Sequence, residues 1–266
     1  MSLAVQTYSL VRDASDAMKP DGIRYLGGGT LVVRAVNEGD VSITGYVRST
    51  APGLRTIDIV EGRATIGASV TMAAVLANAG LAGLHPVAKA VGGPAVRNMA
   101  TVGGNLFAPA PYGDFTVGLL ALDATVHGAD GESPIEDFLA GRDDRRKRGI
   151  VTAVSLDVPS AGVLRFLKVS RVKPRGVSVV TIAAALALDD AGKVKSARIA
   201  LGCMADRPIR AQAAEQALIG CKLEKDDIRD AVAVIGEGTN PITDPVASAW
   251  YRSEVLPVHF SRLLLG

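Results

Sequence analysis

Two glycine-rich segments hold the residues best suited to chemistry: Gly27-Gly28-Gly29-Thr30 and Thr101-Val102-Gly103-Gly104-Asn105. Glycine lets a chain turn with positive φ and lets a ligand approach the backbone closely. Successive amide N–H groups in such a turn form a concave anion site. Thr30 adds a hydroxyl donor, and Thr101 and Asn105 flank the second glycine pair. The first loop fits neither G-x-G-x-x-G nor a motif ending in Gly-Lys-Ser/Thr, which counts against a Rossmann site and against a nucleotide triphosphatase. Far apart in sequence, the loops either grip one extended diphosphate from two sides or are two unrelated turns. Arg97, just before the second loop, either pairs with phosphate or anchors the loop; its otherwise uncharged surroundings favour the anchor. Asp114 closes the stretch Pro109-Ala110-Pro111-Tyr112-Gly113-Asp114. Its carboxylate can accept ribose or ribityl hydroxyls, or cap a helix from Phe115 onward; spacing alone favours the cap.

Other chemistries find little support. Two cysteines, Cys203 and Cys221, cannot supply the four thiolates of an iron–sulfur cluster. His85, His127 and His259 stand far from one another, so no metal site is expected. No serine- or cysteine-centred nucleophile and no acid–base pair stands out. Cofactor loops without catalytic side chains are what a protein needs when the cofactor performs the reaction. Lys plus Arg is 29 and Asp plus Glu is 27, a net charge of +2, which argues against a nucleic-acid or membrane-surface partner. The basic run Arg142 to Arg148 reads as a solvated loop, with a docking patch as the functional alternative. No leader and no apolar stretch approaching ~18 residues is visible, so a cytoplasmic protein is expected.

These residues need elements to position them. The spacing predicts short strands at Val5–Leu10 and Ile23–Leu26, with capping chemistry at Asp13–Asp16 between them. The second strand runs into the first glycine loop, and a helix is expected from Leu31 to Val36. Leu54–Ile59 and Ala64–Ile66 read as paired strands turning at Glu61-Gly62. Helices are expected at Thr71–Asn78, capped by Thr71 and ended by Gly80, and at His85–Val91. Gly92 to Asp114 reads as a long buried loop. A strand at Leu119–His127, a helix at Ile135–Ala140 and a strand at Ile150–Val158 follow, with a boundary near Pro159–Gly162. Beyond it, Val163–Val169, Val177–Leu188 and Lys193–Leu201 suggest an antiparallel meander. Helical stretches at Arg210–Ile219, Lys225–Ile235 and Pro245–Leu265 complete an α+β unit. With 48% hydrophobic and 21% charged residues over 266, the chain can bury such cores.

Val91-Gly92-Gly93-Pro94-Ala95-Val96-Arg97-Asn98-Met99-Ala100-Thr101-Val102-Gly103-Gly104-Asn105 resembles the signature of the FAD-binding subunits of molybdenum hydroxylases, the family of xanthine dehydrogenase and the aerobic carbon monoxide dehydrogenase medium chain. Val96 and Val102 stand where isoleucine is usual, and Asp114 falls at the family's aspartate. Tyr25 to Thr30, Ile66 to Thr71, Lys168 to Arg171, Arg207 to Ala211 with Glu215, and Ser248 to Arg252 extend the resemblance over nearly the whole chain. Gly27 replaces the usual alanine, and Leu31 follows Thr30 where aspartate is common.

The resemblance implies an α+β fold. A two-subdomain FAD-binding fold of the vanillyl-alcohol oxidase type would occupy residues 1–159, with subdomains of about 1–52 and 53–159. A small C-terminal domain with a three-stranded antiparallel sheet and helices would occupy 160–266. Gly27, Gly28, Gly29 and Thr30, with Thr101, Gly103, Gly104 and Asn105, would hold the pyrophosphate and neighbouring parts of FAD, and Asp114 becomes an expected FAD contact. Lys168 would lie near the pyrimidine edge of the flavin, and Val151 or Ile150 over one face. The implied function is an electron-transfer subunit of a hetero-oligomer. Its partners would be a molybdopterin-binding large subunit and a 2Fe-2S small subunit, and its acceptor NAD+, oxygen or a quinone. A self-sufficient flavoenzyme of the same fold, or a scaffold that has lost FAD, are the alternatives. Gly103→Val and Gly104→Val are both expected to lose FAD while keeping the fold.

Overall fold

Parallel strands cannot be joined by a tight turn, so a small parallel sheet must carry crossover helices. The N-terminal part of the chain follows this rule. In the computed structural model, which describes residues 3–142, 149–172 and 176–266, it forms β1 (Val5–Tyr8), α1 (Val11–Ala17), β2 (Ile23–Tyr25), α2 (Val32–Asn37) and β3 (Gly45–Ser49). The sheet order is β1-β3-β2, all parallel, with Val47 fully buried at its centre. The capping expected at Asp13–Asp16 does not occur. Helix α1 already runs from Val11, its N-cap Leu10 offers no side-chain bond, and the Ser15 hydroxyl instead bonds Val11 O and accepts from the Ile150 amide.

The middle part is antiparallel. Strands β4 (Ile57–Val60) and β5 (Arg63–Gly67) meet through Glu61 and Gly62, both with positive φ, as a two-residue hairpin demands. Helix α3 (Met72–Ala77) starts at Thr71, whose hydroxyl accepts from the Ala74 amide. Gly80 does not end it; residues 79–84 form a 3₁₀ turn, opened by the Asn78 side chain accepting from the Gly80 amide. Helices α4 (His85–Ala90), α5 (Pro94–Arg97), α6 (Val102–Leu106) and α7 (Asp114–Ala121) follow. The expected long loop at Gly92 to Asp114 thus contains two short helices. Then come β6 (Thr125–Gly128), β7 (Gly131–Pro134), α8 (Ile135–Ala140) and β8 (Val151–Asp157), giving the sheet order β4-β5-β8-β6-β7.

Part of the strand expected at Leu119–His127 is helix. Every residue of α7 is buried, so its sequence DFTVGLLA has no polar face and no readable period after Asp114. The strand begins only at Thr125. Of the basic run Arg142 to Arg148, residues 143–148 lie outside the described residues. Arg142 itself is buried rather than solvated, and its guanidinium donates to Ala108 O.

The C-terminal part holds β9 (Leu164–Ser170), β10 (Ser178–Leu188), β11 (Val194–Gly202) and β12 (Ile209–Arg210), in the order β12-β11-β10-β9. The expected three-stranded meander is present, joined by a fourth, two-residue strand. Helices α9 (Gln212–Leu218), α10 (Arg229–Val234) and α11 (Ala249–Leu265) pack on one face of it. Along β10, Ile182 and Ala184 face those helices, while Ala183 joins the core beneath the middle sheet. Both faces of this sheet are therefore covered, and α7 lies against its inner face. A Cβ on Gly202 would come within 2.8 Å of Val117 on α7, so only glycine lets helix and strand approach this closely. Among the described residues no helix is long and apolar enough to cross a membrane.

Candidate functional site

The first glycine loop leaves β2 and enters α2. Leu26 still donates to Val47 O, the last such bond of the sheet edge, and Val33 donates to Gly29 O, the first of the helix. Between them the amides of Gly27, Gly28, Gly29 and Thr30 donate to no protein oxygen among the described residues. Gly29 has φ 73°, a backbone state that side chains resist. Buried amides are almost always paired in folded proteins, so a short row of free ones at a half-buried turn is a place for an acceptor from outside the chain.

The second loop is built differently. Thr101 is the N-cap of α6, and its hydroxyl accepts from the Gly104 amide at 3.1 Å. Gly103 donates to Ala68 O, and the Asn105 side chain donates to Thr101 O. Gly103 is buried, and a Cβ there would lie 2.9 Å from Ala68 Cβ and 3.1 Å from Ala68 O. That corrects one expectation: Gly103 is glycine because α6 sits tightly on the end of β5, so Gly103→Val attacks the fold as well as any ligand. Gly104, by contrast, is exposed. Arg97 is the anchor its surroundings suggested, donating to Lys89 O and Gly92 O.

The fold presses the two loops together. A Cβ on Gly28 would lie 1.7 Å from Met99 O and 3.1 Å from Ala100 Cα, so the backbones touch there. A Cβ on Gly27 would meet Thr101 Oγ1 at 2.9 Å. A second tie joins the flanks. Arg34 on α2 donates from Nη1 to Tyr112 Oη at 2.9 Å. The sequence gives no sign of that pair, because its members are 78 positions apart.

Asp114 serves neither as a side-chain cap nor as a free acceptor. The N-cap of α7 is Gly113, with φ 89°. The Asp114 carboxylate accepts from Lys168 Nζ at 2.7 Å, Ser178 Oγ at 2.6 Å and Thr181 Oγ1 at 2.9 Å. Three of its roughly four lone-pair positions are therefore filled from β9 and β10. Lys168 also donates to Ala90 O, at the start of the segment leading to the second loop. Beside this cluster lies Cys203, whose thiol is pushed up to about 12 by burial and then by the Asp114 charge. Val151 is part of the core beneath β8; with Ile150, Phe107, Phe138 and Val126 it lines a small cavity.

The strands also assemble a group that sequence reading missed. His127 Nε2 is 2.8 Å from Ser155 Oγ, and His127 Nδ1 is 3.1 Å from Glu132 Oε1. Cross-strand register on the face of the middle sheet turned away from its core produces this order of atoms. Ser155 is only 3% exposed and also accepts from Arg63 Nη2, so it lies sealed under its partners. The group is a polar tie across β5, β8, β6 and β7.

The fold and site define an α+β protein whose first part brings two glycine loops into contact and whose second part packs an antiparallel sheet against α7. Residues 4–160 match the family model described as the FAD binding domain in molybdopterin dehydrogenase, and residues 165–266 match the CO dehydrogenase flavoprotein C-terminal domain. The chain belongs to this family of FAD-binding medium subunits of molybdenum hydroxylases, as the stretch from Val91 to Asn105 suggested. It is 31% identical over 181 residues to the glyceraldehyde dehydrogenase medium chain of Sulfolobus acidocaldarius, a match covering 66% of this chain and 64% of that one. It is 28% identical over 192 residues to the nicotinate dehydrogenase FAD-subunit of Eubacterium barkeri, covering 68% and 65%. Each match thus spans just under two thirds of the relative's length. Among solved structures it resembles reconstituted CO dehydrogenase from Oligotropha carboxidovorans, with TM-score 0.86 and 24% identity over 99% of this chain and 96% of that one. Quinoline 2-oxidoreductase from Pseudomonas putida matches equally, with TM-score 0.86 and 24% identity over 100% and 96%. At such identities the likeness speaks for the fold.

Proposed function

We propose that this chain holds FAD between its two glycine loops and relays electrons within a molybdopterin-dependent dehydrogenase of the cytoplasm. Its partners in this reading are a large subunit carrying the molybdopterin and a small subunit carrying 2Fe-2S clusters. The electrons arrive from those clusters and leave to NAD+, oxygen or a quinone. Residues 1–159 form the FAD-binding unit, with subdomains of about 1–52 and 53–159, and residues 160–266 form the flavoprotein C-terminal unit.

One observation carries the reading: the row of free amides at Gly27, Gly28, Gly29 and Thr30 lies directly against the second loop. A diphosphate is the anion that suits paired donors of this kind, because oriented amides compensate its charge without needing a cation. Thr30, Thr101, exposed Gly104 and Asn105 complete the assignment, with Gly103 holding α6 in place behind them. Bound flavin supplies the capacity to accept and pass on electrons, which no side chain here provides. Lys168 is assigned to the ring end. Asp114 holds its ammonium in place at 2.7 Å, and has one remaining lone-pair position for a hydroxyl. Val151 or its neighbour Ile150 is assigned to one ring face.

Absorbance of the purified chain tests the proposal. The expected result is a flavin spectrum in the visible range, or its appearance on adding FAD to colourless protein. A colourless chain that takes up no added FAD overturns the reading. Gly28→Ala sharpens it: the Cβ would strike the Met99 carbonyl and part the loops, so FAD uptake should fall at least tenfold in titrations. Undiminished affinity in that variant would remove the first loop from the site.

A further inference from the structure

We propose that the Arg34–Tyr112 hydrogen bond is a strap that holds the two glycine loops closed and slows exchange of the dinucleotide between them. The inference rests on the FAD reading above and adds a kinetic role for two residues outside the loops.

The two halves of the strap are held unequally. Tyr112 stands on a fixed support. Its amide donates to Pro109 O, the neighbouring Gly113 is buried at φ 89°, and Ala108 is gripped from both sides, donating to Asn105 O and accepting from buried Arg142. This ties Tyr112 to the end of α6 and so to the second loop. Arg34 is the movable half. It projects from α2, one turn beyond the first loop, with its side chain 54% exposed. Glu38, one turn further on, accepts from Arg34 Nε at 2.7 Å and leaves Nη1 free to reach Tyr112.

The consequence follows from connectivity. The loops already touch at Gly28–Met99 and Gly27–Thr101. Arg34–Tyr112 adds a tie further along each chain, so the free amides of Gly29 and Thr30 lie between two points of attachment. The Gly28–Met99 contact is backbone against backbone, and Gly27 lies against the hydroxyl of Thr101, which is itself fixed as the cap of α6, so neither parts without moving main chain. The third is one exposed side-chain hydrogen bond, which rotation about the arginine side chain can break and remake. It is the part of the perimeter that opens at low cost. Arg34 and Tyr112 act here as positioning residues; they touch each other rather than the cofactor.

FAD release from the full chain tests this, followed by the fluorescence gained as flavin leaves the protein. The variants are Arg34→Met, Tyr112→Phe and the double variant; each keeps the bulk and apolar stem of its residue. Each single change should speed release about three- to tenfold, the scale of one exposed hydrogen bond. The double variant should add nothing further, because both changes remove the same contact. Thermal midpoints should stay at the wild-type value, which separates a strap from a structural prop. Unchanged release in both single variants, or factors that multiply in the double variant, would overturn the strap. A wild-type chain that binds no FAD would instead overturn the FAD reading, and the strap with it.

Discussion

The two glycine loops look alike in sequence and are opposites in construction. The first is a turn with free amides between a strand and a six-residue helix. The second is the opening of α6, with Thr101 capping Gly104, Gly103 bonded to Ala68, and the Asn105 side chain returned to Thr101. One loop keeps its donors for something outside the chain; the other uses most of them to fix its own position. Glycine serves ligand approach in the first and close packing of backbone in the second. A grip made this way has one adaptable jaw and one fixed jaw.

The fixed jaw can be tested hardest at its root. Asp114→Ala strands Lys168 beside Ala90 O with side-chain exposures of 15% and 9% for the original pair, so stability should fall by about 3–5 kcal/mol in denaturant titrations. A loss under ~1 kcal/mol would mean that the cluster does not brace the second loop. Next in size is Gly103→Val, expected to cost about 1–3 kcal/mol by overpacking against Ala68. Gly104→Ala, one residue on and exposed, meets only the Thr101 hydroxyl and should cost about 1 kcal/mol or less, below Gly103→Val, while weakening FAD. Equal destabilisation by the two would erase the contrast drawn between them. The smallest effect concerns the thiols. With its pKa raised to about 12 and its side chain buried, Cys203 should resist iodoacetamide at pH 8 in the folded chain, while half-buried Cys221 reacts first. Mass spectrometry of the alkylated peptides decides this; early labelling of Cys203 would show that the region around Asp114 opens.

Much of this architecture was readable in advance. The strand β10, the hairpin at Glu61-Gly62 and the Thr71 cap rest on local signals: a β-branched and apolar run, a turn dipeptide, a hydroxyl before a helix. The second loop was recognisable because its residues are contiguous. What escaped was settled by partners distant in sequence. Helix α7 passed for a strand because burial on all sides removes the polar stripe that marks a helix. The packing role of Gly103 stayed hidden because Ala68 lies far upstream. Asp114 passed for a cap because Ser178 and Thr181, its partners, belong to a sheet beyond the expected boundary. The His127–Ser155 contact depends on strand register, which no local motif records.

Helix α7 also constrains how the chain can be recombined. It is encoded with the FAD-binding unit, yet it meets β10 through Asp114 and β11 through the Val117–Gly202 contact. A chimera joined near Pro159 would seat one parent's helix on the other parent's sheet. Its viability would turn on whether the sheet offers a glycine opposite residue 117 and hydroxyls opposite residue 114. Exchange of halves between relatives is therefore governed by a few matched positions on either side of the junction, and the linker sequence matters far less.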